Sequence, residues 1–303
     1  MKKNAFTMVE VIMVIVIFGI IATIGANIIA KMYMNYMQSR TINYLQTQSA
    51  ITLEQISKRL QYRIKDSIVA RNTNTNDVLY LGNSKVDESF NVIEWIGYSN
   101  EAMLIKATPG WSGFIDIYST NTNRADKALA TPGSNLVDAA NIMKVLSNDK
   151  VDLSTNKEAA LIFKGKYSIS NQNSDYGWDG NGGNANYMLK VIKKNDQTFL
   201  VNNLPADTIS IYEQYYLAHS AYAIVPVGDD PTNFNLELRY NYQPWLKTKY
   251  DDVTTARALL ATHVNLFRIK QVGNTIRLKL CLHDNKLSGF GDYIVACKEE
   301  VVL

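Results

Sequence analysis

An acid stands at the mouth of a membrane-length apolar run. Val11–Ala30 is interrupted only by Thr23 and Asn27 among polar residues, and Glu10 directly precedes it. As a helix this run measures about 30 Å, the thickness of a bilayer's hydrocarbon core. A cleaved secretory signal carries a shorter apolar region of about 7–15 residues, so the run reads as a retained span. A carboxylate deep in such a span costs about 2.5–3.5 kcal/mol on insertion scales. That cost calls for a partner to Glu10, because a paired charge at low dielectric is tolerable where a lone one is not. Lys2 and Lys3 place the N-terminus in the cytoplasm by the positive-inside bias, although Lys31 beyond the span reduces the asymmetry. The remainder of the chain would then face the periplasm or exterior.

Met1–Ala5 is a short basic stretch ending in a small residue, followed by Phe6 and, four residues on, Glu10. This segment resembles the class III leader of type IV pilins and type II secretion pseudopilins. The resemblance implies that a prepilin peptidase cuts between Ala5 and Phe6 and that Phe6 becomes the N-methylated first residue. It further implies that Glu10 pairs with the Phe6 ammonium of its own or an adjacent subunit. Ala5 stands where the family usually has Gly. The competing reading is a signal peptide or signal anchor with Glu10 as a tolerated interfacial acid. The basic leader, Phe, acid and span length together favour the pilin-like leader.

Beyond the span, Lys31–Arg71 contains neither Pro nor Gly, so nothing interrupts a helix. Leu53, Ile56, Leu60, Ile64 and Ile68 recur at spacings of three and four, an amphipathic stripe of the kind that packs on a domain. Glu54 and Lys58 make an i,i+4 pair in the favourable order. These patterns predict one helix from Phe6 to Arg71, about 100 Å long. Gly19 and Gly25 inside the span would let it stretch or approach a neighbour closely. The expected organisation is a leader (1–5), a transmembrane helix (6–30), its amphipathic continuation (31–71) and a β-rich periplasmic head (72–303).

About 230 residues remain for the head, above the usual 100–150 for one domain. With 47% hydrophobic and 19% charged residues the chain is able to bury a core. Strand-like runs fall at Val78–Leu81, Val92–Gly97, Ala102–Ala107, Phe114–Tyr118, Leu161–Ser168 and Tyr187–Lys193, and continue through Thr208–Tyr216 and Tyr222–Val227. Phe234–Tyr240 and Ile276–Leu280 alternate apolar and polar residues, as half-exposed antiparallel strands do. Gly273-Asn274 between Leu266–Gln271 and Thr275–Leu282 marks a hairpin, and Tyr293–Cys297 is a last strand-like run. One helix is expected at Leu136–Leu146. A long N-terminal helix followed by many antiparallel strands is an α+β architecture.

Leu236-Glu-Leu238, Val264-Asn-Leu-Phe267 and Gly273-Asn-Thr-Ile276-Arg-Leu-Lys-Leu280 are similar to the closing segment of J-type minor pseudopilins and W-type minor pilins. This second resemblance implies a large minor subunit that initiates or tips a filament. Its partners would be other pilins or pseudopilins, the prepilin peptidase and an inner-membrane assembly platform. The two cysteines, Cys281 and Cys297, lie in a compartment that permits disulfides. A bridge between them, resembling the C-terminal loop of many pilins, is favoured over two reduced buried thiols.

Catalytic patterns are scarce. His219, His263 and His283 are scattered without metal-ligand spacing, and Gly110-Trp-Ser-Gly-Phe114 ends in Phe where a nucleophile elbow has Gly. No cofactor is expected. Asp175, Asp179, Asn181 and Asn184 in a Gly-rich stretch offer oxygen ligands for calcium, but without EF-hand spacing a plain polar loop is preferred. The net charge of +3 falls to +1 without Lys2 and Lys3, so no direct nucleic-acid contact is expected. A non-enzymatic secretion or pilus subunit is therefore the leading expectation. The alternatives are a competence pseudopilin aiding DNA uptake and a membrane-anchored binding module or enzyme.

Overall fold

Helix α1 (Met8–Gln61) runs 54 residues unbroken, about 80 Å at 1.5 Å per residue. The computed structural model describes residues 7–104, 108–166, 168, 171–202, 210–284 and 294–303. The expected helix to Arg71 is corrected here: α1 ends ten residues earlier, with Tyr62 as its C-cap. The backbone finds other partners at that point. Ile64 N–H donates to the Ile96 carbonyl (2.8 Å) and Tyr98 N–H to the Tyr62 carbonyl (2.9 Å). Ile64 and Ile68 are nonetheless buried. An extended and 3₁₀ path through Lys65–Ser67 carries them inward, so the apolar spacing reported burial rather than helix.

Among the described residues thirteen strands follow: β1 (Val69–Asn72), β2 (Val78–Tyr80), β3 (Phe90–Gly97), β4 (Ala128–Ala130), β5 (Ala159–Phe163), β6 (Leu189–Asn195), β7 (Thr198–Val201), β8 (Tyr215–Ala218), β9 (Ser220–Val227), β10 (Phe234–Tyr242), β11 (Ala256–Val272), β12 (Thr275–His283) and β13 (Val295–Val302). Three short helices, α2 (Asn100–Met103), α3 (Leu136–Leu146) and α4 (Gln172–Asp175), lie among them. An eight-stranded sheet has the order β13-β12-β11-β10-β9-β3-β1-β2, and a five-stranded sheet the order β4-β7-β6-β5-β8. The recorded strand pairings are antiparallel. The α+β architecture is thus the one expected.

Side-chain alternation builds three layers. On one face of the large sheet Ile93, Trp95, Ile224, Leu236, Leu278 and Leu280 pack with Leu45, Leu53, Ile56 and Leu60 of α1. Each buried leucine or isoleucine contributes on the order of 1.5–3 kcal/mol. On the other face Val92, Ile96, Ala221 and Ala223 meet the small sheet and the Leu136, Ala139 and Met143 side of α3. The α3 bounds match the expected helix because the Asn135 side chain caps it, accepting from Asp138 N–H.

Two expected strands fail, and a third, Thr208–Tyr216, keeps only its last two residues, where β8 begins, with residues 208 and 209 outside those described. The start of Ala102–Ala107 belongs to α2, and residues 105–107 lie outside those described. Phe114–Tyr118 makes only one bridge, Phe114 with Gln214. Its backbone is held instead by single bonds, Ile115 N–H to the Glu213 carbonyl (2.6 Å) and Asp116 N–H to the Ala130 carbonyl (3.0 Å). Strands β1, β4 and β7 are additions, each only three or four residues long.

Candidate assembly site on the N-terminal helix

Glu10 sits at the third position of α1, where it and Thr7 close a capping box. Its Oε2 accepts from Thr7 N–H (3.1 Å) and from the Thr7 hydroxyl (3.0 Å), while Glu10 N–H donates to Thr7 Oγ1 (3.4 Å). An acid in the first turn also opposes the positive end of the helix dipole. The carboxylate therefore has an intrachain role that its sequence position did not reveal, and it remains exposed for a second partner. Ala5 and Phe6 lie outside the described residues.

The first buried residue of α1 is Leu45. Met8–Tyr44 therefore projects beyond the head by about 55 Å. Val11, Phe18, Ile24 and Ile29 are all exposed there, as are Met32, Tyr33, Tyr36 and Tyr44. This is the one helix among the described residues long and apolar enough to cross a membrane. The polar atom of Thr23 is satisfied within the helix, its hydroxyl donating to the Ile20 (2.8 Å) and Gly19 (3.1 Å) carbonyls. A Cβ on Gly19 or Gly25 would meet nothing in this chain, so neither glycine serves an intrachain contact.

Cys281 and Cys297 stand directly opposite on β12 and β13, Cα atoms 4.0 Å apart, and are joined as a disulfide. The residues weighed for calcium fold into one turn in which each acid faces donors. Asp175 is buried, taking the Ser168 hydroxyl (2.5 Å) on one oxygen and Asn184 Nδ2 (3.0 Å) on the other. Asp179 accepts from Asn181 N–H (2.9 Å) and Nδ2 (2.8 Å). Both asparagines thus present amide donors to the acids. Among the described residues, no three His, Cys, Asp or Glu side chains gather into a metal-holding group. Gly177, at φ 76°, lets this turn press on the chain at Pro244, where a Cβ would come within 2.7 Å of the Pro244 carbonyl oxygen.

One charged pair was missed by sequence reasoning. Arg71 donates from Nη2 to the Trp178 carbonyl (2.9 Å) and from Nε to Glu94. Tyr242 donates its hydroxyl to Glu94 (3.1 Å), and Trp178 Nε1–H donates to the Ser67 carbonyl (3.1 Å). The sequence signal was a single acid, Glu94, inside the apolar run Val92–Gly97. His219 is likewise buried, its Nδ1 2.9 Å from Ser99 Oγ. Burial lowers its pKa to about 4. It is a neutral core group, in keeping with a structural head.

Residues 1–26 match a family described as the prokaryotic N-terminal methylation motif. No curated protein and no solved structure matches the chain.

Proposed function

From an N-terminus that is type IV pilin-like, we propose that this chain is a minor pilin or minor pseudopilin that initiates or tips a filament. One observation carries the reading. In a chain that opens with the methylation motif, α1 buries residues from Leu45 to Leu60 on its own head and has no buried residue over Met8–Tyr44. Lipid and the helices of neighbouring subunits are the surfaces that suit such a segment. A prepilin peptidase would cut after Ala5, the head would face the periplasm, and an inner-membrane platform would draw the helix into the growing filament. The freed Phe6 ammonium, one residue before the Thr7 cap, would bring a cation to the Glu10 carboxylate of an adjacent subunit.

The methylation motif points to a structural rather than an enzymatic protein. The size of the head supports few copies per filament: about 230 residues exceed the usual domain and would crowd a thin helical array. Copy number tests this. Gold labelling of a tagged chain in purified filaments should mark one end, at a small fraction of the major subunit's abundance. Labelling along the whole length at near-equal abundance would overturn the minor-subunit reading.

A further inference from the structure

Strand β11, at 17 residues, is longer than either of its neighbours, β10 and β12, at 9 each. β10 pairs with it only over Ala256–Val264, whereas β12 follows it from Val264 to Val272. Gly273, at φ 60°, begins the two-residue turn that closes the β11–β12 hairpin. In such a hairpin Val272 and Thr275 form the first hydrogen-bonded pair, and pairing then alternates. Lys270 and Arg268 therefore direct their backbone groups at β12. Phe267, Ile269 and Gln271 direct theirs to the opposite side, where no backbone bond among the described residues receives them.

That side opens into a cleft of about 1390 Å³, bounded by the chain between β2 and β3 and by the β9–β10 turn. It exceeds the roughly 300–1,000 Å³ typical of small-molecule pockets. Phe267, Ile269, Phe90, Phe234 and Val86 line it with half-buried apolar surface. Its mouth carries the exposed acids Asp87, Asp229 and Asp230, while Glu88 is already paired with Arg268 (3.0 Å). Charged residues commonly blunt a bare strand edge. By alternation Arg268 and Lys270 sit on the sheet face opposite to Phe267 and Ile269, yet both also line the cleft; with Arg268 taken up by Glu88, Lys270 stands against three acids and the lining keeps a net negative charge.

We propose that this cleft binds an extended, basic segment of another polypeptide, which adds a strand to β11 at Phe267–Gln271. Main-chain bonds to Phe267, Ile269 and Gln271 supply the affinity, and alternating apolar and basic side chains supply the selectivity. A second copy is the poorer occupant: a two-fold contact through this edge would set Asp87, Asp229 and Asp230 of one copy against the same acids of the other.

The test uses the full chain in non-ionic detergent and the synthetic peptide (Lys-Val)₅. Binding should slow amide exchange at Phe267, Ile269 and Gln271 at least tenfold and leave Arg268 and Lys270 unchanged. A (Glu-Val)₅ peptide, or (Lys-Val)₅ methylated on its backbone nitrogens, should bind at least tenfold more weakly. Ile269→Pro removes one edge donor without touching a bond to β12 and should weaken binding similarly; the methylated peptide asks the same question without risk to folding. Unchanged exchange at the three amides, equal binding of (Glu-Val)₅, or protection that grows with protein concentration alone would each overturn the proposal.

Discussion

On neighbouring strands β1 and β3, Arg71 and Glu94 form an ion pair, Nε to Oε1 2.7 Å, with side chains 9% and 1% exposed. Burial pushes the Glu94 carboxyl above its ordinary range, opposed by Arg71 and the Tyr242 hydroxyl. Through the Trp178 carbonyl the pair ties the large sheet to the Gly-rich turn. Removing one partner of a buried pair strands the other, at about 3–5 kcal/mol. Glu94→Gln should therefore lower the thermal midpoint by roughly 10 °C. Glu94→Leu with Arg71→Met should cost less than the worse single change, and thermal unfolding of the four-member cycle measures the coupling.

His219 predicts a pH dependence. Its folded pKa, about 4, lies below the ordinary 6.5, so the unfolded chain binds the extra proton between these values. Stability is full above pH 6.5 and falls as pH drops toward 4, by at most about 3 kcal/mol. Glu94, held above its ordinary range, acts with the opposite sign. His219→Asn isolates the histidine: denaturant unfolding at pH 7 and pH 4.5 should give a difference at least 1.5 kcal/mol smaller than wild type, on the order set by the same linkage.

The Cys281–Cys297 bridge closes a loop with a sequence separation of 16. In the chain-entropy model such a loop is worth about 3 kcal/mol. The double change to Ser should lower stability by that order while leaving the β11–β12 pairing intact. Oxidised wild type should lose the same amount on reduction, and the serine variant should be indifferent to reductant.

Glu10 has two possible roles, helix cap and charge partner, and one substitution separates them. Gln preserves a Thr-x-x-Gln capping box yet carries no charge. Glu10→Gln should keep the helix content and membrane insertion of the wild type while incorporation into filaments drops severalfold. Incorporation at wild-type level would reduce Glu10 to a cap. A Thr7→Ala change should cost about 1 kcal/mol of helix-end stability with a smaller effect on assembly.

What could be read from the sequence was what local pattern controls. The apolar span, α3 and the Gly273-Asn274 hairpin each depend on residues close together in the chain. The end of α1 does not: Tyr62 and Ile64 leave the helix because Tyr98 N–H donates to the Tyr62 carbonyl and the Ile96 carbonyl accepts from Ile64 N–H, and no local breaker announces it. Arg71 looked like the foot of a stalk until Glu94 and Trp178 were brought to it from distant segments. Glu10 was legible as an anomaly, but its bond to Thr7 depends on where the helix starts.

The most direct measurement is the mass of the mature N-terminal peptide from cells with a prepilin peptidase. A peptide that begins at Phe6 and carries one added methyl group is the predicted result. An N-terminus still at Met1 in the assembled, functional protein would contradict the account.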